Sequence, residues 1–272
     1  VAEIGYSLRL LRRLIGANFR SQMSYRVPLL FEFFGVFFVS LLEFASFALV
    51  LPKFGDIGGW HLGEVAFLAG MVNIAFGVMD MVFSGFDPGN FGRKIRVGRM
   101  DQLLLRPVNI TLQVLGSEFV LRRIGRILVG VGIFWLADSL LHIDWTFANI
   151  LLLLFSILGQ IFFFGALFVI GATITFWTVE SIEVMNIFTY GGSEMISYPM
   201  HIYPDFLRRF FTFILPAIFL NYFPALAILG KQDPLGFPAV APWLSLPAGL
   251  LIFIFAMRFW RYGLSHYQST GT

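Results

Sequence analysis

The chain contains no cysteine. That excludes disulfides, thiol catalysis and cysteine-ligated metals. Charge is scarce as well: only 13% of the residues are charged and 58% are hydrophobic, whereas soluble domains carry about 25% charged residues. A soluble globular domain is excluded. Nucleotide-hydrolysing and hydrolytic motifs are missing too. Gly230-Lys231-Gln232 lacks the hydroxyl residue that would hold magnesium in a phosphate-binding loop, and no HExxH or GxSxG occurs. Gly130-Val131-Gly132 has neither a third glycine nor a preceding strand, so it reads as helix packing. His61, His142, His201 and His266 are scattered and read as interfacial side chains.

What is present is a series of long apolar runs. About 20 apolar residues span a bilayer as a helix, and the 272 residues hold several such runs within one membrane domain. Residues 1–26 precede them. There Ile4, Leu8, Leu11 and Ile15 fall at helical spacing beside Arg9, Arg12, Arg13, Arg20 and Arg26, which predicts an amphipathic helix on an anionic membrane surface. Spans are expected at 27–50, 62–86, within 111–141 with the start marked by Arg122, Arg123 and Arg126, at 147–177 and at 241–262. Between 178 and 240 two segments compete. Residues 178–198 are weakly apolar and hold Glu183 and Glu194, whereas 206–229 are strongly apolar but contain Pro216 and Pro224. Hydropathy prefers the second. Either choice gives six crossings.

Most of the 19 basic residues fall on one side of this layout: before the first span, between the second and third, and at the end of the last. The positive-inside rule therefore places both termini and the 87–110 connector in the cytoplasm. The connector is too basic for the bilayer and too long for a tight turn. Ile95, Met100, Leu103 and Leu104 give it an apolar side. It suits either docking into a soluble partner's groove or arginine contact with lipid headgroups.

Acidic residues inside spans are costly and mark either interhelical hydrogen bonding or function. Glu32 and Glu43 lie about three turns apart on one face of the first span. Glu64 and Asp80 lie near opposite ends of the second, and Glu183 and Glu194 share a face of 178–198 if it is helical. Glu43, Asp80 and Glu194 are the candidates for a polar path that attracts a cationic substrate or carries a proton. The 34 phenylalanines suit lipid exposure and an apolar cargo equally.

Two stretches resemble the ABC-2 type exporter permeases, in particular the subgroup called ABC-2 family transporter proteins. One runs from Gly98 through Asp101, Leu104, Arg106 and Pro107 to Asn109, similar to a G-x-L/M-D-x-L-L-L-R-P pattern in the connector. The other comprises Tyr198, Pro199, Tyr203, Pro204, Leu207, Pro216, Tyr222 and Pro224, similar to the signature near the fifth span. The resemblance implies an all-α membrane domain over 27–272: six spans, an amphipathic elbow helix before them, a cytoplasmic coupling helix between spans two and three, and an outer re-entrant hairpin between spans five and six. It places 178–198 across the membrane and Tyr198, Pro199, Pro204, Pro216 and Pro224 in the hairpin, leaving Arg208 and Arg209 outside against the charge bias. It implies ATPase coupling through Phe91, Arg96, Gly98, Arg99, Asp101, Leu104, Arg106 and Pro107, with no catalytic residue or metal in the chain. Expected partners are two ABC ATPase subunits carrying ATP and magnesium, a second permease, identical or homologous, and membrane lipids, with no nucleic acid. The setting implied is a bacterial or archaeal inner membrane and the cargo a lipid-like, amphiphilic or drug-like molecule. A proton-coupled secondary transporter and a non-transporting assembly subunit are the rival classes.

Overall fold

A computed structural model describes residues 2–178 and 183–268. The 179–182 part of the segment predicted at 178–198 lies outside the described residues. So do Val1 and 269–272 of the predicted domains. Among the described residues there is no strand, only an isolated bridge between Ile57 and Trp60. The chain opens with α1 (Ala2–Ser24) and α2 (Arg26–Phe54), followed by α3 (Leu62–Phe83), and the connector folds as α4 (Pro88–Arg96) and α5 (Arg99–Leu104). Then come α6 (Ile110–Ser117), α7 (Ile124–Leu141) and α8 (Phe147–Thr178). Among the described residues five runs are long and apolar enough to cross a membrane: Arg26–Leu51, Leu62–Arg96, Leu121–Leu141, Phe147–Thr178 and Ala241–Ser265. A bent pair, Asp205–Ile214 with Ala217–Ile228, makes a sixth if counted as one span.

The third run starts at Leu121, beside the Arg122, Arg123 and Arg126 that mark its start within 111–141. Residues 110–117 form the separate helix α6, and the backbone is extended at Glu118 and Val120. Freed backbone groups in such a break need partners, and α1 supplies them. Asn18 Nδ2 donates to Gly116 O at 2.8 Å, Gln22 Nε2 donates to Phe119 O, and Gln22 Oε1 accepts from Leu121 N at 3.1 Å. Leu11 and Leu14 pack on Gly116 in the same contact. One face of α1 is thus docked on α6.

The core is built by close helix pairs. A Cβ on Gly130 of α7 would lie 2.8 Å from Ile74 N of α3, and one on Gly70 would lie 2.9 Å from the Phe134 backbone. Only glycine permits that approach, and small residues at such crossings let van der Waals contact replace the hydrophobic drive that lipid does not provide. The packing role read into Gly130 holds. Gly132 meets nothing within 4 Å and does not share it.

Beyond residue 182 the helices are short and broken, namely α9 (Glu183–Asn186), a π-turn Ile187–Gly191, α10 (Gly192–Ile196), α11 (Asp205–Arg209), a second π-turn Phe210–Ile214, α12 (Ala217–Leu220) and α13 (Tyr222–Ile228), until the long α14 (Ser245–Ser265). The first of these lie along α8. Met185 sits against Gly171, Tyr190 stands 6.2 Å from Phe168, and Gly192 faces Phe164. As the residue number rises on one it falls on the other, so Glu183–Ile196 runs antiparallel to α8. The next segment leaves from and returns to the loop joining α2 to α3. His201 Nε2 lies 2.8 Å from Gly58 O, while Lys231 Nζ donates to Gly59 O at 3.0 Å and pairs with Glu64 at 2.6 Å. Between these ends the chain bends by 74° at Leu215–Pro216, because proline has no N–H to continue the ladder. Pro224 is tolerated in α13, as its missing donor falls in the first turn, where none is needed.

Broken backbone inside an apolar bundle must be satisfied internally. Leu220 O, freed at the break after α12, accepts from Ser156 Oγ at 2.5 Å, and Asn221 Nδ2 donates to Ile196 O at 2.8 Å and Leu68 O at 3.3 Å. All three side chains of this cluster, Ser156, Gln160 and Asn221, are fully buried.

Candidate functional site

The connector is assembled by local capping. Asp87 accepts from Asn90 N at 2.9 Å and Pro88 occupies the first turn of α4, an arrangement that pre-sets a helix start. Gly98 then adopts φ 66°, a left-handed conformation suited to glycine, and turns the chain into α5. Phe91 and Ile95, one turn apart, face inward. Phe91 is 1% exposed, with its ring 5.5 Å from Trp260 and 5.7 Å from Phe176. The opposite face carries exposed Arg96, Arg99, Arg106 and Pro107, together with Val97, Leu104 and Leu105, the last 86% exposed.

The eight connector residues singled out by sequence therefore divide. Phe91 and Gly98 are buried, so they hold the connector rather than form its outer surface. Asp101 is half-buried and accepts from Tyr267 Oη at 3.0 Å. Burial first, then this hydrogen bond and the Asp101 charge, push the Tyr267 hydroxyl up to about 12. Arg96, Arg99, Leu104, Arg106 and Pro107 form one exposed ridge. Val97 and Leu105 complete it and were missed, although their apolarity within a basic stretch was the available signal. Behind the ridge, Lys94 pairs with Glu118 at 2.8 Å, and Gln113 Nε2 donates to Leu103 O at 3.2 Å and Val108 O at 3.0 Å, bracing the turn at Arg106–Pro107.

A second polar feature lies within the helical bundle, between α2 and the helices behind it. Arg122 pairs with Glu32 at 3.1 Å, Arg123 with Asp80 at 2.8 Å, and Arg126 with Glu194 at 3.2 Å. Arg126 also donates from Nε to Asn73 Oδ1 at 2.9 Å and lies 4.6 Å above the Phe76 ring. Of the candidate path residues, Glu43 and Glu194 are brought together in one cleft with Ser40, Asn73, Ser197 and Tyr198. Asp80 is 2% exposed beneath Arg123 and lines neither that cleft nor the cavity beside it. The three arginines read as charges flanking the third span. Their pairing with α2, α3 and α10 depends on which helices become neighbours, so no local signal announces it.

Of the hairpin residues, Tyr198 packs edge-on against Phe47 at 5.2 Å, Pro199 and Pro204 flank the one-turn helix Met200–Ile202 and the start of α11, and Pro216 makes the bend. Glu64, one of the acids noted in the second span, is held by Lys231, which also lies 4.9 Å over the Trp60 ring.

Apolar helices of spanning length, with a polar connector and ion pairs between them, define a multi-pass membrane protein. Comparison with known families is specific: the model for the ABC-2 family transporter proteins matches residues 37–271, and the chain belongs to that family. It is a membrane permease of the kind that works with an ABC ATPase. No curated protein and no solved structure matches the chain.

Proposed function

We propose that the chain is the membrane subunit of an ATP-driven exporter of lipid-like, amphiphilic or drug-like molecules. Two separate ATPase subunits would carry the ATP and magnesium, and a second permease, identical or homologous, would complete the pore. The observation that carries this reading is the connector ridge. Leu104, Leu105 and Val97 are exposed among arginines at an end of the bundle that is otherwise basic, and an exposed apolar patch rimmed by charge marks a protein interface. Phe91, locked between Phe176 and Trp260, gives that ridge a rigid footing on the fourth and the last spans.

In this proposal α1 is the elbow helix on the cytoplasmic leaflet and both termini are cytoplasmic, in a bacterial or archaeal inner membrane. Segment 183–198 is the fifth crossing and 200–231 an outer re-entrant hairpin. The antiparallel course of Glu183–Ile196 beside α8 supports the first assignment. The return of Lys231 to the loop that also holds His201 supports the second. Closure of the ATPases on ATP would push the connector and tilt the first, second and fifth spans, opening a path past Glu43 and Glu194.

The test is purification of the tagged chain from its native membrane in mild detergent. A stoichiometric P-loop ATPase is expected to co-purify, and Leu104→Asp with Leu105→Asp is expected to reduce its recovery at least tenfold without lowering the yield of permease. An oligomeric preparation with no ATPase would point to a secondary transporter or an assembly subunit.

A further inference from the structure

The charges between α2 and the bundle do not balance. Glu32, Asp80 and Glu194 each have a guanidinium partner, in Arg122, Arg123 and Arg126. Glu43 is the fourth carboxylate of the set, and among the described residues it forms no ion pair or hydrogen bond. It stands midway along α2 and is exposed, on a helix whose most apolar 18-residue stretch is only 11% buried inside the protein. An uncompensated carboxylate at that depth is costly in hydrocarbon, and such residues face a partner, a cavity or a pathway.

A cavity is present. The space of about 520 Å3 between α2 and the three arginines is lined by Glu32, Glu43, Arg122, Arg123, Arg126 and Tyr190, with apolar Val36 and Val39 on the α2 wall. At Glu43 and Ser40 it continues into the cleft holding Glu194 and Asn73. That cleft is walled by Phe44, Phe47 and Tyr198, and the last two meet edge to face at 5.2 Å. A carboxylate without counter-ion beside ring faces attracts a positive group, and aromatic walls accommodate an organic cation better than a hydrated metal ion. The arginines supply the opposite lesson: each is already neutralised, so they do not call for an anion.

We propose that this groove binds an amphiphilic organic cation, an apolar body bearing an amine or other onium group, held in the larger space with its positive centre at Glu43, where the narrow cleft of about 50 Å3 beside Phe47, Tyr198 and Glu194 opens. Glu43 is the specificity-determining carboxylate. Arg126 positions Glu194 by pairing with it and with Asn73, and so keeps Glu194 from repelling Glu43 at full strength. The biological meaning rests on the permease reading, but the binding does not require an ATPase. Loss of the ATPase partnership and loss of this site are therefore separate results.

The experiment uses the full chain in nanodiscs of neutral phosphatidylcholine, with radiolabelled tetraphenylphosphonium as the probe and empty nanodiscs as background. Saturable binding is expected. It should weaken at least tenfold in Glu43→Gln, recover to within about threefold of the parent in Glu43→Asp, and stay unchanged in Glu64→Gln, which removes a carboxylate paired elsewhere. Tetraphenylborate, measured separately, has the same shape and the opposite charge, and is expected to show background uptake only. A thermal melt of each variant reports whether it is folded. The proposal is overturned if the parent chain shows no saturable phosphonium binding, if a folded Glu43→Gln binds as the parent does, or if both ions bind alike. If Glu43→Gln does not fold, Glu43→Asp and the borate measurement still decide the matter.

Discussion

Tyr267 donates its hydroxyl to Asp101 Oδ1 across 3.0 Å, tying the stretch just beyond α14 to the first turn of α5. The contact joins the connector to the last span independently of Phe91. Removing the hydroxyl in Tyr267→Phe should cost about 0.5–1.5 kcal/mol, the net worth of one hydrogen bond. Beyond that, a mechanical link predicts that ATPase stimulation by the permease falls in Tyr267→Phe while co-purification of the ATPase is retained. Equal loss of both would make the residue merely structural. The pH dependence follows from the raised hydroxyl pKa of about 12. A group whose folded value exceeds its unfolded value, about 10 for tyrosine, contributes stability that is complete below the unfolded value and is lost as pH rises through the folded one. The Tyr267 contribution should therefore be flat from pH 6 to 9 and vanish above pH 12, which a comparison of melts for the parent and Tyr267→Phe would reveal.

Asp80 and Arg123 form a deeply placed ion pair, with Asp80 2% exposed and the two 2.8 Å apart. Breaking a buried pair strands a charge and typically costs about 3–5 kcal/mol, whereas replacing both partners by apolar groups is often close to neutral. Asp80→Leu and Arg123→Met alone should each lower the unfolding midpoint in detergent sharply. The double substitution should recover most of the loss. Additive losses would mean that the two do not act as a pair.

Lys231 holds the returning end of the 200–231 segment through Glu64, Gly59 O and the Trp60 ring. Lys231→Met removes all three contacts, and the segment should then open more often. A cysteine placed at Ile228, which is buried, gives a clean readout, since the chain has no other. Its maleimide labelling rate should rise about tenfold with Lys231→Met, the effect of about 1.4 kcal/mol on an opening equilibrium. An unchanged rate would assign the anchoring to His201 and Tyr222 instead.

The same cysteine-free background tests the topology. Leu105→Cys on the connector should react with a membrane-impermeant maleimide only after cells are opened. Asp56→Cys and Gly236→Cys, in the loops before α3 and after α13, should react in intact cells. Ile202→Cys, exposed between the two competing segments, should also react in intact cells; labelling of it only after cells are opened would make Asp205–Ile228 a broken crossing rather than a hairpin.

Two details that no local pattern announces share a cause. The chain ahead of the third span breaks at Glu118–Val120, where Asn18 and Gln22 from α1 satisfy the freed backbone. Phe91 falls in a basic connector and reads as surface, yet it is buried because Trp260 and Phe176 form a box for it. In each case the deciding partner is about 70 or more residues away in the chain, so no local window contains it.

The one-dimensional pattern was enough to establish the membrane class, the positions of most long helices, the basic connector with its glycine turn at Gly98, and the family. These depend on length, apolarity and charge, which are local sums along the chain. The tertiary structure alone decided which carboxylates meet which guanidiniums, that Glu43 is left without one, and that 200–231 returns to the loop it leaves. Those outcomes depend on which helices pack side by side, and ion pairing acts only over a few ångströms between groups far apart in sequence.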